Sequence, residues 1–136
     1  RFKIANVDHF FQKVTGKGVL EGYSLRFTVR LPDGGRADIV EEGGEVEGIV
    51  YELDADALYY LYKREGVNES LYRPAVVQVK MADNAYKEVL TFIVVNKEDE
   101  TAPPAHYLTE ILRGGKDILS KEYLKRLEER FPNVLV

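Results

Sequence analysis

Glu65 is distinguished among the ionisable residues by its position. It closes the stretch from Ala55 and is followed at once by Gly66. Asp54 is a good helix N-cap, and Ala57, Leu58, Leu61 and Tyr62 recur at helical spacing. Gly66 falls where a left-handed glycine would end that helix. Glu65 is therefore expected at a helix C-terminus, the half of the dipole that stabilises cations. A carboxylate there is either solvated and incidental or placed to hold a proton, the second being general acid–base chemistry. Tyrosines gather around it: Tyr59, Tyr60 and Tyr62 on the helix, Tyr72 just beyond, and Tyr107 at the head of a later helix. The helix tyrosines fit a partly buried core, whereas Tyr72 and Tyr107 sit at element boundaries, where a hydroxyl can reach a ligand.

Other chemistries find little support. His9 and His106 are far apart and lack ligand-like spacing, which favours structural or surface roles. Gly34-Gly35, Gly43-Gly44 and Gly114-Gly115 read as turns and caps, with no phosphate-cradling fingerprint. Ser24, Ser70 and Ser120 lack a G-x-S-x-G setting and a nearby histidine. The acidic runs Glu41-Glu42 and Glu98-Asp99-Glu100 read as solvated loops. There are no cysteines, hence no disulfide, thiolate metal site or cysteine nucleophile. A net charge of −4 argues against a nucleic-acid partner. No apolar run approaches the roughly 20 residues of a membrane span. No signal-peptide pattern opens the sequence, and a cytoplasmic location is the expectation. The 136 residues, 45% hydrophobic and 31% charged, suit one soluble domain with a single core.

The elements that must position these residues follow from periodicity. Val7, Phe10, Phe11 and Val14 have helical spacing, broken by Thr15-Gly16-Lys17-Gly18. Val19 to Leu31 alternates as one long strand, Pro32-Asp33-Gly34-Gly35 turns, and Ala37 to Glu41 is a short strand. Glu42-Gly43-Gly44-Glu45 leads tightly into a strand from Val46 to Leu53, which feeds the helix ending at Glu65. Arg73 to Met81 and Tyr86 to Asn96 flank a four-residue hairpin loop. The nearly continuous apolar run Val89 to Val95 reads as buried on both faces or closed into a barrel. A proline-bearing loop, Lys97 to Ala105, precedes a helix from His106 to Leu112, and Ser120 caps a last helix to about Arg130. The sum is an α+β domain: a small, mixed, barrel-like curled sheet of about five strands with three or four flanking helices.

Several of these segments carry a recognisable pattern. Gly48-Ile49-Val50-Tyr51-Glu52-Leu53, then Leu58 and Leu61, Arg64-Glu65-Gly66-Val67 and Leu71-Tyr72-Arg73 resemble the γ-glutamylcyclotransferase-like (AIG2-like) family, in which a G-V-x-Y-x-L strand leads through a helix to an E-G segment and an aromatic residue. Gly22-Tyr23-Ser24-Leu25-Arg26-Phe27 is similar to its G-Y-x-L-x-F strand, and Ala37-Asp38-Ile39-Val40 to its A-D/N-I-V strand. Ala102-Pro103-Pro104-Ala105-His106-Tyr107 is similar to its A-P-P-x-x-Y loop, and Gly114 and Tyr123-Leu124 continue the match. The resemblance runs through nearly the whole sequence in order, and is nearest to the second domain of bacterial proteins that carry two such domains in tandem.

The resemblance implies that Glu65 is a general base and then acid. Tyr72 and Tyr107 would line a γ-glutamyl pocket, and the product would be 5-oxoproline plus a free amine, with no metal or cofactor. Desolvation by aromatic rings and the helix end would both favour the protonated carboxyl. Two departures stand out. Phe92 occupies a position where the family often has a pocket tyrosine. The family's opening strand, ending in Y-G-S-N or a close variant, has no counterpart, so residues 1–136 are expected to be a single domain cut from, or lacking, that strand. The implied partners are a small γ-glutamyl substrate and a second homologous domain or a second copy of the chain. The alternative is a domain that binds such a ligand, or plays a structural role, without turning it over.

Overall fold

A computed structural model describes residues 13–134. Among them lie six strands and three helices: β1 Val14–Glu21, β2 Ser24–Leu31, β3 Gly34–Val40, β4 Glu45–Tyr51, α1 Ala55–Arg64, β5 Tyr72–Lys80, β6 Tyr86–Val94, α2 Ala105–Gly115 and α3 Lys121–Glu129. The class is α+β, as the periodicities require. One sheet has the order β4-β1-β5-β6, and β2 and β3 form a separate hairpin. β3 lies beside β6 and β2 beside β4, without a ladder of backbone hydrogen bonds at either seam. A closed barrel does not form, and among the described residues six strands in two sheets stand where one curled sheet of about five was expected.

The differences from the periodicity reading have local causes. Val14, read as the last apolar residue of a helix, opens β1, and Thr15 to Gly18 lie inside that strand, pairing with β4 past a bulge between Val14 and Gly16. Val7, Phe10 and Phe11 fall outside the described residues. The long strand from Val19 to Leu31 is broken at Gly22, whose φ of 87° turns the chain. Gly22 N–H donates to Gly44 O at 2.8 Å and its carbonyl accepts from Gly43 N at 3.0 Å, so two glycine turns brace each other. β6 is an edge strand of its sheet rather than a strand buried on both faces: Ile93 and Val94 are buried, but Leu90 is 39% exposed.

The β2–β3 hairpin is tied down along both of its edges. Phe27 and Ala37 face each other across it, and their backbone groups point outwards. Phe27 N donates to Glu100 Oε2 at 3.1 Å, and Phe27 O accepts from Thr101 N at 2.9 Å. Arg30 N donates to Glu98 Oε1 at 3.1 Å. The acidic run 98–100, expected as a solvated loop, thus supplies the hydrogen bonds that a neighbouring strand would give, and Glu42 pairs with Arg26. The same loop lies so close over Gly35 that a Cβ there would sit 2.1 Å from Thr101 O. Behind the hairpin is the core of Phe27, Leu108 and Leu127, where Phe27 meets Tyr107 and Phe131 edge-to-face at 6.3 and 5.4 Å.

Candidate active site

α1 is set at both ends by its sequence. Asp54 Oδ1 accepts from Ala57 N at 2.9 Å, the expected N-cap. Glu65 is the C-cap, its N–H donating to Leu61 O at 2.9 Å, and Gly66 follows with a φ of 65°. A Cβ on Gly66 would stand 3.1 Å from the Leu71 Cβ, and Leu71 N donates to Gly66 O at 3.0 Å. The glycine thus admits a tight return that carries the chain from Glu65 straight into Tyr72, the first residue of β5.

Tyr107 arrives from the opposite side, in the first turn of α2. Its ring is held by the edge of Phe27 and by the Arg36 guanidinium, 4.9 Å from the ring centroid. The two tyrosines meet on one residue of β3. Tyr72 OH donates to Ala37 O at 2.7 Å, and Ala37 N donates to Tyr107 OH at 3.1 Å. Phe92 comes from β6, opposite Pro74 in register, and its ring meets Tyr62 edge-to-face at 5.5 Å.

Glu65, Tyr72, Phe92 and Tyr107, the four residues singled out in the sequence, line one cavity of about 990 Å³. The Glu65 side chain is only 17% exposed and has Arg64 Nε 3.2 Å from Oε2. An adjoining apolar cavity of about 580 Å³, walled by Leu58, Leu61, Val77 and Val79, shares Ile49, Arg64 and Phe92 with the first. Burial raises the Tyr51 phenol, which lines both cavities, above its ordinary pKa, while the Arg64 charge pulls the other way. Of the helix tyrosines read as partly buried core, Tyr60 and Tyr62 are half-buried but Tyr59 is 68% exposed. His106 is an exposed residue 3.8 Å from Asp33.

The sequence reading gave Arg36 no mention and assigned no part to Arg64, Ala37 or Asp38, which it saw only as letters of the family pattern. Asp38, also on the cavity wall, is a buried carboxylate. Its Oδ1 accepts from Val94 N at 2.9 Å, and its Oδ2 from Thr28 Oγ1 at 2.9 Å and Lys97 Nζ at 2.6 Å. It bolts β3 to β2 and to the end of β6, and Val94 is the register partner of Tyr72. One signal was available: an aspartate inside the apolar strand Ala37 to Val40 requires buried partners.

Comparison with known proteins gives this arrangement a context. Over 128 residues the chain is 51% identical to YkqA of Bacillus subtilis (strain 168), named provisionally as a γ-glutamylcyclotransferase; the match covers 94% of this chain and 46% of YkqA. The crystal structure of YkqA superposes with a TM-score of 0.91 at 48% identity, over 98% of this chain and 50% of that one. The chain thus spans about half the length of this curated relative. A solved structure of a γ-glutamyl cyclotransferase shares the fold, with a TM-score of 0.79 at 24% identity over 85% of this chain and 73% of that one. An uncharacterized human protein has the same TM-score of 0.79 at 25% identity and the same coverage. The AIG2-like family matches residues 45–127, which run from β4 through α1 and the cavity strands to α3, and the chain belongs to that family.

Proposed function

We propose that the protein cyclises a γ-glutamyl amine or peptide to 5-oxoproline and releases the free amine, with Glu65 as base and then acid. Glu65 accepts a proton from the substrate's α-ammonium. The freed amine adds to the γ-carbonyl carbon, and the carboxylic acid delivers that proton to the leaving nitrogen as its bond to carbon breaks. The second proton shed by the ring nitrogen travels the same way, so the amine departs as an ammonium and the carboxylate is restored. Holding amine and carbonyl in one pocket makes the ring closure effectively unimolecular, with a gain of about 7 kcal/mol or more. One carboxyl performs both transfers when it is poised between donor and acceptor.

One observation carries this reading: a largely buried carboxylate shares a cavity with Tyr72, Tyr107 and Phe92. The kinship with YkqA supports it further. The test is formation of 5-oxoproline from γ-glutamyl dipeptides, by this chain and by the chain with a Y-G-S-N-type strand joined ahead of Arg1. Turnover that disappears in Glu65→Gln supports the reading. Tight binding of the dipeptides with no product from either form would make this a binding domain instead.

A further inference from the structure

We propose that Asp38 is a positioning residue for the cavity that holds Glu65. Its buried carboxylate fixes the Ala37 peptide, and that peptide places the Tyr72 and Tyr107 hydroxyls. The consequence for turnover rests on the γ-glutamyl reading above, whereas the placement itself does not.

The seam between β3 and β6 makes this one side chain answerable for both hydroxyls. Among the described residues no backbone ladder crosses it, and the one hydrogen bond from β6 to β3 runs from Val94 N to Asp38 Oδ1 at 2.9 Å. Val94 faces Tyr72 in register, and Tyr72 OH donates to Ala37 O, the carbonyl of the peptide that Asp38 completes. Tyr72, Val94, Asp38 and Ala37 therefore close a ring of contacts. Tyr107 joins that ring from α2 by accepting from Ala37 N at 3.1 Å. Any shift of β3 against β6 moves the two hydroxyl contacts together.

The carboxylate is held from three segments. Between the pairs Phe27–Ala37 and Val29–Arg36, Thr28 is an extra residue in β2, a bulge of the kind that re-aims a side chain. Thr28 is buried, and its Oγ1 donates to Asp38 Oδ2 at 2.9 Å. Lys97 Nζ donates to the same oxygen at 2.6 Å and to Val94 O at 3.0 Å, so the cation straddles the seam. The Asp38 side chain is wholly out of solvent. Burying a charged pair costs desolvation that apolar residues of the same volume would not. What the polar set supplies instead is direction, because hydrogen bonds weaken steeply when bent.

Asp38→Asn keeps the shape and an acceptor for Val94 N but removes the charge that holds Lys97, and two readouts separate placement from general stability. The first is amide hydrogen exchange in the 136-residue chain. Exchange at Ala37 N–H should speed up by about tenfold relative to amides paired between β1 and β4, whereas overall loosening would speed both alike. Glu47→Ala, which removes a carboxylate away from the cavity, should leave that ratio as it is in the parent. The second is turnover of γ-glutamyl-L-alanine, in whichever form of the chain turns it over. There kcat should fall by about tenfold or more with KM little changed, since a reacting group displaced by about 1 Å loses up to about 10²-fold. An unchanged exchange ratio at Ala37, or an unchanged kcat in folded Asp38→Asn, overturns the proposal. Should Asp38→Asn not fold, Thr28→Val, which removes one bond to the carboxylate, is judged by the same two results. A parent that turns over no γ-glutamyl dipeptide overturns the γ-glutamyl reading, and the exchange ratio then decides the placement alone.

Discussion

Glu47 and Glu65 are both largely buried glutamates at helix ends, and they sit at opposite poles. Glu47, on β4, reaches the N-terminus of α3, where Oε1 accepts from Ser120 N at 2.7 Å and Oε2 from Ser120 Oγ at 2.8 Å. Its side chain is 12% exposed, with Lys17 Nζ 4.0 Å away. That helix end offers N–H groups and the positive end of the dipole, so the charge is absorbed by the fold. Glu65 lies at a C-terminus, where the helix backbone offers only carbonyls. Its counter-charge comes from a side chain, Arg64, and its carboxylate borders a cavity. Burial alone would not have separated the two. The polarity of the helix end does.

The sharpest way to break this contrast is Glu65→Gln, which should lower turnover of a γ-glutamyl dipeptide by about 10²–10⁴-fold, the usual worth of an acid–base group. Its melting point should barely move. Asp38→Ala tests the extreme case of a carboxylate absorbed by the fold. It strips partners from Val94 N and Thr28 Oγ1 and leaves Lys97 without its counter-ion, so denaturant unfolding should show a loss of about 3 kcal/mol. Glu47→Ala should cost about 1–2 kcal/mol by the same measurement, with activity per folded molecule retained. If Glu47→Ala instead abolished turnover at full stability, the division between the two glutamates would collapse.

The smallest effect is alkaline. Burial holds the Tyr123 phenol above its ordinary 10.0, and the neighbouring Glu47 charge adds to the rise, although a hydrogen bond and two arginines act against it. The folded chain then keeps this proton longer than the unfolded chain does. Its stabilising share is complete below the unfolded value and is lost as pH rises through the folded one. Thermal melts between about pH 9 and 11.5 should fall less steeply for Tyr123→Phe than for the parent, by under about 1 kcal/mol.

Much of this was legible in the sequence wherever a local signal exists. The Asp54 cap, the period of α1 and the left-handed Gly66 are decided within a turn or two of chain, and each was read correctly. The placing of Tyr72, Phe92 and Tyr107 beside Glu65 came from the family pattern, since periodicity does not say which strand ends converge. The break at Gly22 was hidden because the alternation of side chains continues straight through Glu21, Gly22 and Tyr23. The parts played by Glu98, Glu100 and Ala37 were illegible for a deeper reason. They depend on which backbone groups are left over after strands pair, and an alanine's peptide carries no mark of that in its letter.

The loop from Glu98 to Pro104 is fastened to the β2–β3 hairpin by Glu98, Glu100, Thr101 and Ala102, and then runs directly into the helix that carries Tyr107. Hairpin, loop and tyrosine are consequently coupled in one mechanical unit. A side chain put at Gly34 or Gly35 would therefore act at a distance: its Cβ would stand 2.8 Å from Ala102 O or 2.1 Å from Thr101 O, and the loop it displaced leads straight into the Tyr107 helix.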